Sequence, residues 1–152
     1  MKNINYWSEN KKNNNVVTKL PNCAAKDYYS PSINKILTKI VPDNPDFVPV
    51  YNDYHKADIK ANTLEQIKIH KGGHSVIDCG FSLEVPLGYK ICASTNLDNI
   101  KKGIFIRDVI NENNRIKILI INNGQDTLLI NNKDVIGQIY IEPVYFFEWE
   151  IQ

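Results

Sequence analysis

The chain has 152 residues, of which 43% are apolar and 23% charged, and its net charge is +1. This length suits one domain with its own hydrophobic core. The near-neutral charge gives no electrostatic basis for binding nucleic acid or an anionic membrane. No apolar run has transmembrane length and no signal peptide follows Met1. We therefore expect a cytoplasmic or virion-associated protein.

The cysteines and histidines indicate neither disulfides nor a metal site. Cys23, Cys79 and Cys92 lack metal-ligand spacing, and an odd number fits poorly with a disulfide framework. His70 and His74 flank a turn without a third ligand nearby. We expect reduced, mostly buried thiols, no metal and no cofactor.

Codon bias explains part of the composition. Asn, Ile and Lys are heavily used, whereas arginine occurs only at Arg107 and Arg115. Because the codons of the three abundant residues are AT-rich, we interpret this bias as that of an AT-rich bacterium or its phage.

Residues 1–31 form a polar N-terminal segment that precedes the predicted domain, residues 32–152. The run Asn10–Asn15 has too little apolar surface to offset the entropy of ordering, so an extended or disordered arm is expected. Tyr6 and Trp7 are the aromatic exceptions. They either anchor the arm to a neighbouring molecule or rest on the surface of their own chain.

The next segments favour strands. Ser32–Val41 has apolar residues at both helical and strand spacing, and we favour a strand because β-branched residues dominate and Pro42 stops it. Val76–Val85 predicts a long strand broken near Gly80, where glycine indicates a bulge or close backbone packing. Ser94–Lys102 fits one short helical turn. Turns recur about every ten residues without a long amphipathic helix, which is typical of an all-β barrel or sandwich.

Ile116–Glu142 is the most regular stretch and predicts strand, turn, strand, turn, strand. Asn122–Gly124 is a hairpin signal, because Asn and Gly tolerate the positive φ angles of tight turns. Both faces of these strands are largely apolar. We expect them to be buried on two sides, within a barrel or against a partner subunit.

The C-terminal residues Tyr145–Trp149 alternate in a way that predicts a strand with one very apolar face. Exposed, such a strand would be an aggregation hazard. We therefore expect Phe146, Phe147 and Trp149 to lie against a neighbouring subunit; the alternative is burial in the chain's own core.

A series of motifs between Val48 and Val144 resembles the trimeric dUTP pyrophosphatase (dUTPase) and dCTP deaminase superfamily. The motifs, in chain order, are Val48–Tyr51, Ala57–Ala61, Ile67–Gly73, Leu83–Tyr89, Ala93–Leu97, Ile116–Gly124 and Lys133–Gln138. The resemblance implies a distorted β-barrel or jelly-roll subunit that forms a homotrimer. It also implies active sites shared between subunits and a C-terminal segment that crosses to a neighbour.

In the superfamily an Asp-activated water attacks between the α and β phosphates, Mg²⁺ and basic groups bind the triphosphate, and an aromatic ring stacks under the uracil. By this resemblance Asp58 is the first-motif acid and Gln138 belongs to the fourth motif. Ser94, followed by Thr95, stands where the phosphate-binding arginine is expected. Asn111 replaces the water-activating aspartate, although a shifted alignment places Asp108 there.

These replacements predict a loss of catalysis. An amide cannot accept a proton as a general base, and a serine lacks the charged fork with which arginine binds phosphate. The family's Gly-rich phosphate-closing arm is also missing. Asp58 and Gln138 would then persist only as hydrogen-bonding groups of a turn and a strand.

Three functions remain open at this point. The favoured one is a catalytically degenerate homotrimer, a structural or docking subunit of a larger assembly such as a phage particle, in contact with other virion proteins. The second is a divergent dUTP or deoxynucleotide pyrophosphatase that requires Mg²⁺ and uses Asp58, Asp108 and Gln138. The third is a regulatory trimer that binds a nucleotide or a host protein without hydrolysis.

Overall fold

The computed structural model describes residues 36, 38–52 and 55–152. This part of the chain contains ten strands, one short helix and one 3-10 turn. They are β1 (Lys39–Pro42), the 3-10 turn (Pro45–Phe47), β2 (Val50–Tyr51), β3 (Ala57–Lys60), β4 (Ile67–Ile69), β5 (His74–Glu84), β6 (Tyr89–Ser94), α1 (Leu97–Lys101), β7 (Ile104–Glu112), β8 (Arg115–Asn122), β9 (Leu128–Ile130) and β10 (Val135–Pro143). The prediction of an all-β fold is confirmed, and so is the short helical turn.

Three antiparallel sheets build the domain. One has the strand order β1-β5-β8-β7, a second has the order β2-β3-β10-β6, and β4 pairs with β9 in the third. Their inner faces meet in one apolar core that includes Ile59, Ile77, Phe81 and Ile118, each with 0% exposure. Among the described residues, no helix is long and apolar enough to cross a membrane.

The central strand β8 alternates between two environments. Ile116, Ile118 and Ile120 are fully buried on one face, while the side chains between them are only half-buried. The prediction of burial on two sides therefore holds completely for one face and partly for the other.

The hairpin predicted at Asn122–Gly124 is wrong. β8 pairs with β5 and β7, whereas β9 pairs with β4, so the chain leaves its sheet at this turn. The cause is the buried amide of Asn122. Its Nδ2 donates to the carbonyl oxygens of Ile69 and Asp126, each at 2.8 Å, and its Oδ1 accepts from the Gly124 N–H at 2.9 Å.

The bulge predicted at Gly80 is confirmed, together with close backbone packing. The β5–β8 register shifts between Asp78 and Ser82, and Gly80 has a φ of 78°. A Cβ atom at Gly80 would lie 2.6 Å from Cδ1 of buried Phe47. Glycine is thus required here for two reasons: it adopts the positive φ angle, and it leaves room for the Phe47 ring where a Cβ atom would lie.

The thiol prediction is confirmed for Cys79, which is fully buried and unpaired. Burial raises the pKa of this thiol to about 12. Cys92 is also free but only half-buried. Cys23, like Tyr6, Trp7 and the rest of the N-terminal arm, lies outside the described residues.

Residues 144–152 follow β10 without regular secondary structure, so the C-terminal strand prediction is wrong for the single chain. Phe146, Phe147 and Trp149 are 83–89% exposed. The alternative of burial in the chain's own core is therefore contradicted. A strand needs a paired neighbour, and among the described residues this segment pairs with none.

Replacing Asn122 by alanine should destabilise the fold by about 2–4 kcal/mol, because three backbone groups lose a buried partner. Chemical denaturation of the variant measures this loss. Asn123→Ala is the matched control, since Asn123 is exposed and its replacement should change stability by less than about 0.5 kcal/mol. Equal losses would contradict the role assigned to Asn122.

Gly80→Ala should cost more than Gly72→Ala. Both glycines have a φ near 77°, but a Cβ at Gly72 meets nothing within 4 Å. Gly72→Ala should therefore show only the backbone penalty of about 1–2 kcal/mol. Gly80→Ala should add an overpacking cost of about 1–3 kcal/mol, and Phe47→Leu in the same chain should recover part of it. The thermal unfolding midpoints of the variants measure these differences in stability.

Candidate functional site

The sheet β2-β3-β10-β6 brings three of the sequence candidates into one row. Gln138 on β10 is the register partner of Asp58 on β3 and of Ser94 on β6. These residues are far apart in the sequence, and only the central position of β10 unites them. We call Asp58, Gln138 and Ser94 the site row.

Asp58 is held by two amides. Nε2 of Gln138 donates to Asp58 Oδ1 at 3.3 Å and to Asn52 Oδ1 at 2.8 Å, while Nδ2 of Asn52 donates to the same carboxylate oxygen. Asn52 was not expected from the sequence, where its only signal is a polar residue immediately after a strand beside the Val48–Tyr51 motif. Neutral donors from within the chain therefore already satisfy one oxygen of this carboxylate.

At the β6 end of the site row, Ser94 is closely packed and its hydroxyl lacks a hydrogen-bond partner among the described residues. Ser94 Oγ is buried and makes no hydrogen bond with the described residues. The next hydroxyl, Thr95 Oγ1, accepts the Ile106 N–H at 2.8 Å and so links β6 to β7. A Cβ at Gly137 would lie 3.0 Å from the Ser94 carbonyl oxygen, so glycine permits this approach. Ser94 itself carries no positive charge.

Asn111 serves the β7–β8 hairpin rather than the site row. Its Oδ1 accepts the Asn114 N–H at 2.9 Å, which closes the turn. The turn residues Asn113 and Asn114 have φ angles of 50° and 69°, which is the conformation of a type I′ hairpin. An amide oxygen is also too weakly basic to take a proton from a water molecule.

Asp108 lies at a bulge in β7, where the register with β8 shifts between Ile106 and Asp108. The carboxylate is exposed and its Oδ1 accepts the Val109 N–H at 2.8 Å. Within one chain, neither Asp108 nor Asn111 hydrogen-bonds to the site row. The fold thus unites three sequence candidates and leaves these two apart.

Arg115 fixes the base of the same hairpin. It forms a double hydrogen bond with Asp78 at 2.6 and 2.8 Å and another with Asp43 at 2.6 and 2.7 Å. Asn62 supports Asp43 with a further hydrogen bond of 2.7 Å. The Arg115 hydrogen bonds hold the pKa of Asp43 below its usual value and raise that of Arg115 itself.

The described residues offer no protein-built metal site. No three His, Cys, Asp or Glu side chains in this part of the chain lie close enough to share an ion. Asp58 is the one carboxylate of the site row, and amides engage it. This donor set does not fit a Mg²⁺ ion held by the protein alone.

Comparison by sequence finds similarity to curated enzymes. No family profile matches the chain. The deoxyuridine 5'-triphosphate nucleotidohydrolase of Bdellovibrio bacteriovorus is 26% identical over 100 residues, covering 62% of this chain and 67% of that enzyme. The enzyme of the same name from Chlamydia pneumoniae is 31% identical over 94 residues, covering 58% of this chain and 65% of the relative. The chain thus spans about two thirds of the length of these relatives.

Comparison by structure finds phage dUTPases. An aspartate-to-asparagine variant of the dUTPase from Staphylococcus aureus phage phi11, whose structure describes the coordination of a structural Mg(II) ion, gives a TM-score of 0.63 at 17% identity. A variant of the same kind from Staphylococcus bacteriophage 80alpha, bound to dUpNHpp, gives 0.64 at 15% identity. Both comparisons cover 76% of this chain and 96% of the other. At these identities the likeness establishes the fold.

Asp43→Asn should destabilise the protein at neutral pH and matter less in acid. A carboxyl whose folded pKa is lowered contributes stability above its unfolded value, about 4, and loses it as the pH falls through the lower folded value. The free energies of unfolding of the two proteins should therefore converge below about pH 3. Denaturation at a series of pH values measures this. Asp126→Asn, at an exposed side chain, is the control, and a pH-independent gap for Asp43→Asn would contradict the Arg115 pairing.

Proposed function

We propose, from the premise that this chain is a dUTPase-fold protein, that it is a catalytically degenerate homotrimer. In this proposal the trimer serves as a structural or docking subunit of a larger assembly, such as a phage particle. The fold supplies shape and self-association, and it no longer supplies the groups that bind and cleave a triphosphate.

The observation that carries the proposal is the state of the site residues. Ser94 brings no charge to the place of the phosphate-binding arginine, and its hydroxyl is buried without a partner among the described residues. The Asn111 amide closes its own hairpin turn. Asp58 is engaged by Asn52 and Gln138. Each feature favours a stabilised scaffold over a reactive centre, because a general base and a phosphate clamp are both needed for hydrolysis.

The C-terminal segment supports self-association. Phe146, Phe147 and Trp149 are 83–89% exposed in the single chain. A contiguous patch of this kind is costly in water and marks an interaction site. Burial against neighbouring subunits of a homotrimer removes the cost. Tyr6 and Trp7, outside the described residues, would add contacts to other proteins of the assembly.

Two features support a phage setting. The composition is that of an AT-rich genome, and the structural comparisons are with phage dUTPases. A threefold subunit matches the threefold and quasi-threefold positions of an icosahedral particle.

The second candidate is a divergent dUTP or deoxynucleotide pyrophosphatase. Its support is the similarity to two enzymes named deoxyuridine 5'-triphosphate nucleotidohydrolases, together with the retained Asp58 and Gln138. Since the described residues do not form a Mg²⁺ site, the ion would have to take most of its ligands from nucleotide phosphates and water.

The third candidate is a regulatory trimer that binds a nucleotide or a host protein without hydrolysis. The dUTPase of phage 80alpha is described as controlling the transfer of virulence genes by a proto-oncogenic G protein-like mechanism. Calorimetric titration with dUTP and dCTP separates this candidate from a purely structural subunit, which binds neither.

The full-length protein, incubated with dUTP or dCTP and Mg²⁺, should release pyrophosphate far more slowly than the roughly 1 s⁻¹ that ordinary enzymes exceed. The expected deficit is at least about 10²-fold, because the general base is absent. Light scattering should give three times the chain mass of 17.5 kDa.

Asp58→Asn is the control for any residual rate, since contaminating activity would be indifferent to it. Turnover at or above about 1 s⁻¹ that this substitution abolishes would overturn the proposal in favour of the pyrophosphatase. A stable monomer would overturn the assembly role.

A further inference from the structure

Asn52 closes a ring of hydrogen bonds around Asp58. Nε2 of Gln138 donates to Oδ1 of both side chains, at 2.8 Å to Asn52 and at 3.3 Å to Asp58. Because Oδ1 of Asn52 accepts one of these bonds, its Nδ2 is turned towards the carboxylate, where it donates to Asp58 Oδ1. Both ends of the Asn52 amide are therefore bonded, and the end that faces the acid is a donor.

The position of Asn52 follows from strand pairing. β2 ends the sheet β2-β3-β10-β6, and its Val50 lies opposite Asp58 on β3. The strand stops at Tyr51, and the side chain of the next residue, Asn52, reaches over β3 to Gln138 on β10. The amide thus connects the edge of the sheet to its centre, directly over the retained acid.

A divalent cation would need the lone pairs that the amides use. Mg²⁺ and similar hard ions bind carboxylate oxygens directly and require about six oxygen ligands in a near-octahedral arrangement. At Asp58, Oδ1 already accepts an N–H from Asn52 and another from Gln138. Oδ2 makes no hydrogen bond with the described residues, but a single free oxygen is too small a ligand set for such an ion.

The charges near Asp58 also disfavour a cation. Lys56 and Lys60 stand two residues away on either side, so the three side chains share one face of the sheet. Neither lysine makes an ion pair with the described residues, and Glu142, the one acid of β10, is paired with Lys90 at 3.8 Å. A cation approaching the site row therefore finds one carboxylate between two positive charges.

We propose that Asn52 excludes divalent cations from Asp58, so that the site row is a hydrogen-bonded cross-link of three strands and not a metal site. The proposal rests on the degenerate role proposed above and names the residue that enforces it. Asparagine and aspartate differ only in an NH₂ group in place of an oxygen. Asn52 is thus a positioning residue whose amide determines what the retained acid can bind.

Asn52→Asp tests the proposal, because it exchanges the donor for a second carboxylate beside Asp58. In the full-length protein, Mn²⁺ binding, measured from the paramagnetic resonance signal of the free ion, should be equal in the parent and in Asp58→Asn. Asn52→Asp should bind Mn²⁺ at least about tenfold more tightly than the parent, and adding Asp58→Asn should abolish the gain. Asn123→Asp, at an exposed residue, is the matched control for the added charge and should bind as the parent does.

Thermal unfolding gives a second readout and shows whether the variant folds. The midpoint of the parent should be the same in millimolar Mg²⁺ and in a chelator. That of Asn52→Asp should rise with Mg²⁺, because an ion that binds only the folded state stabilises it. If Asn52→Asp does not fold, the comparison of the parent with Asp58→Asn carries the test alone.

Two results would overturn the proposal. One is a parent protein that loses Mn²⁺ affinity on Asp58→Asn, since the ion would then bind with Asn52 in place. The other is a folded Asn52→Asp variant that gains no affinity. Hydrolysis of dUTP at or above about 1 s⁻¹ by a parent without Mn²⁺ at Asp58 would refute the proposed function instead, and Mn²⁺ at Asp58 without hydrolysis would refute only the role of Asn52.

Discussion

The burial of alternate isoleucines on β8 is the constraint on which the rest of the structure depends. Ile116, Ile118 and Ile120 face the core from the strand that joins β5 to β7. Because side chains alternate with a period of two, a slip of one residue would turn this whole set to the outside. The register of the β7–β8 hairpin is therefore fixed, and Asn111 is fixed with it at the turn.

The sequence was informative wherever a feature depends on local chemistry. The period-two alternation of apolar residues located most strands. Gly80 indicated the bulge, because glycine adopts a positive φ angle without steric strain. Strand pairing was harder to predict from the sequence, since it depends on contacts between distant segments. Asn122–Gly124 contains the residues of a hairpin turn. The Asn122 side chain nevertheless bonds to Ile69, 53 residues earlier, and the strand that follows the turn pairs in another sheet.

The site could be predicted only in part from the sequence, because its local motifs are readable and its long-range contacts are not. Asp58, Gln138 and Ser94 followed from motif order, and strand pairing placed them in one row. Asn52 and the cluster around Arg115 could not be foreseen, because they arise from the folded arrangement. Asp43 and Arg115 are 72 residues apart. What they have in common is that their hydrogen bonds join segments that are distant in the sequence.

The hydrogen bond between Asn122 and Gly124 has a consequence for the chemical lifetime of the molecule. In an Asn-Gly dipeptide such as Asn123-Gly124, the glycine nitrogen attacks the preceding amide side chain, and the resulting succinimide opens to aspartate or isoaspartate. Here that nitrogen is buried and its N–H is committed to Asn122 Oδ1 at 2.9 Å. The turn is thereby shielded from deamidation, because the buried nitrogen is held away from the Asn123 side chain.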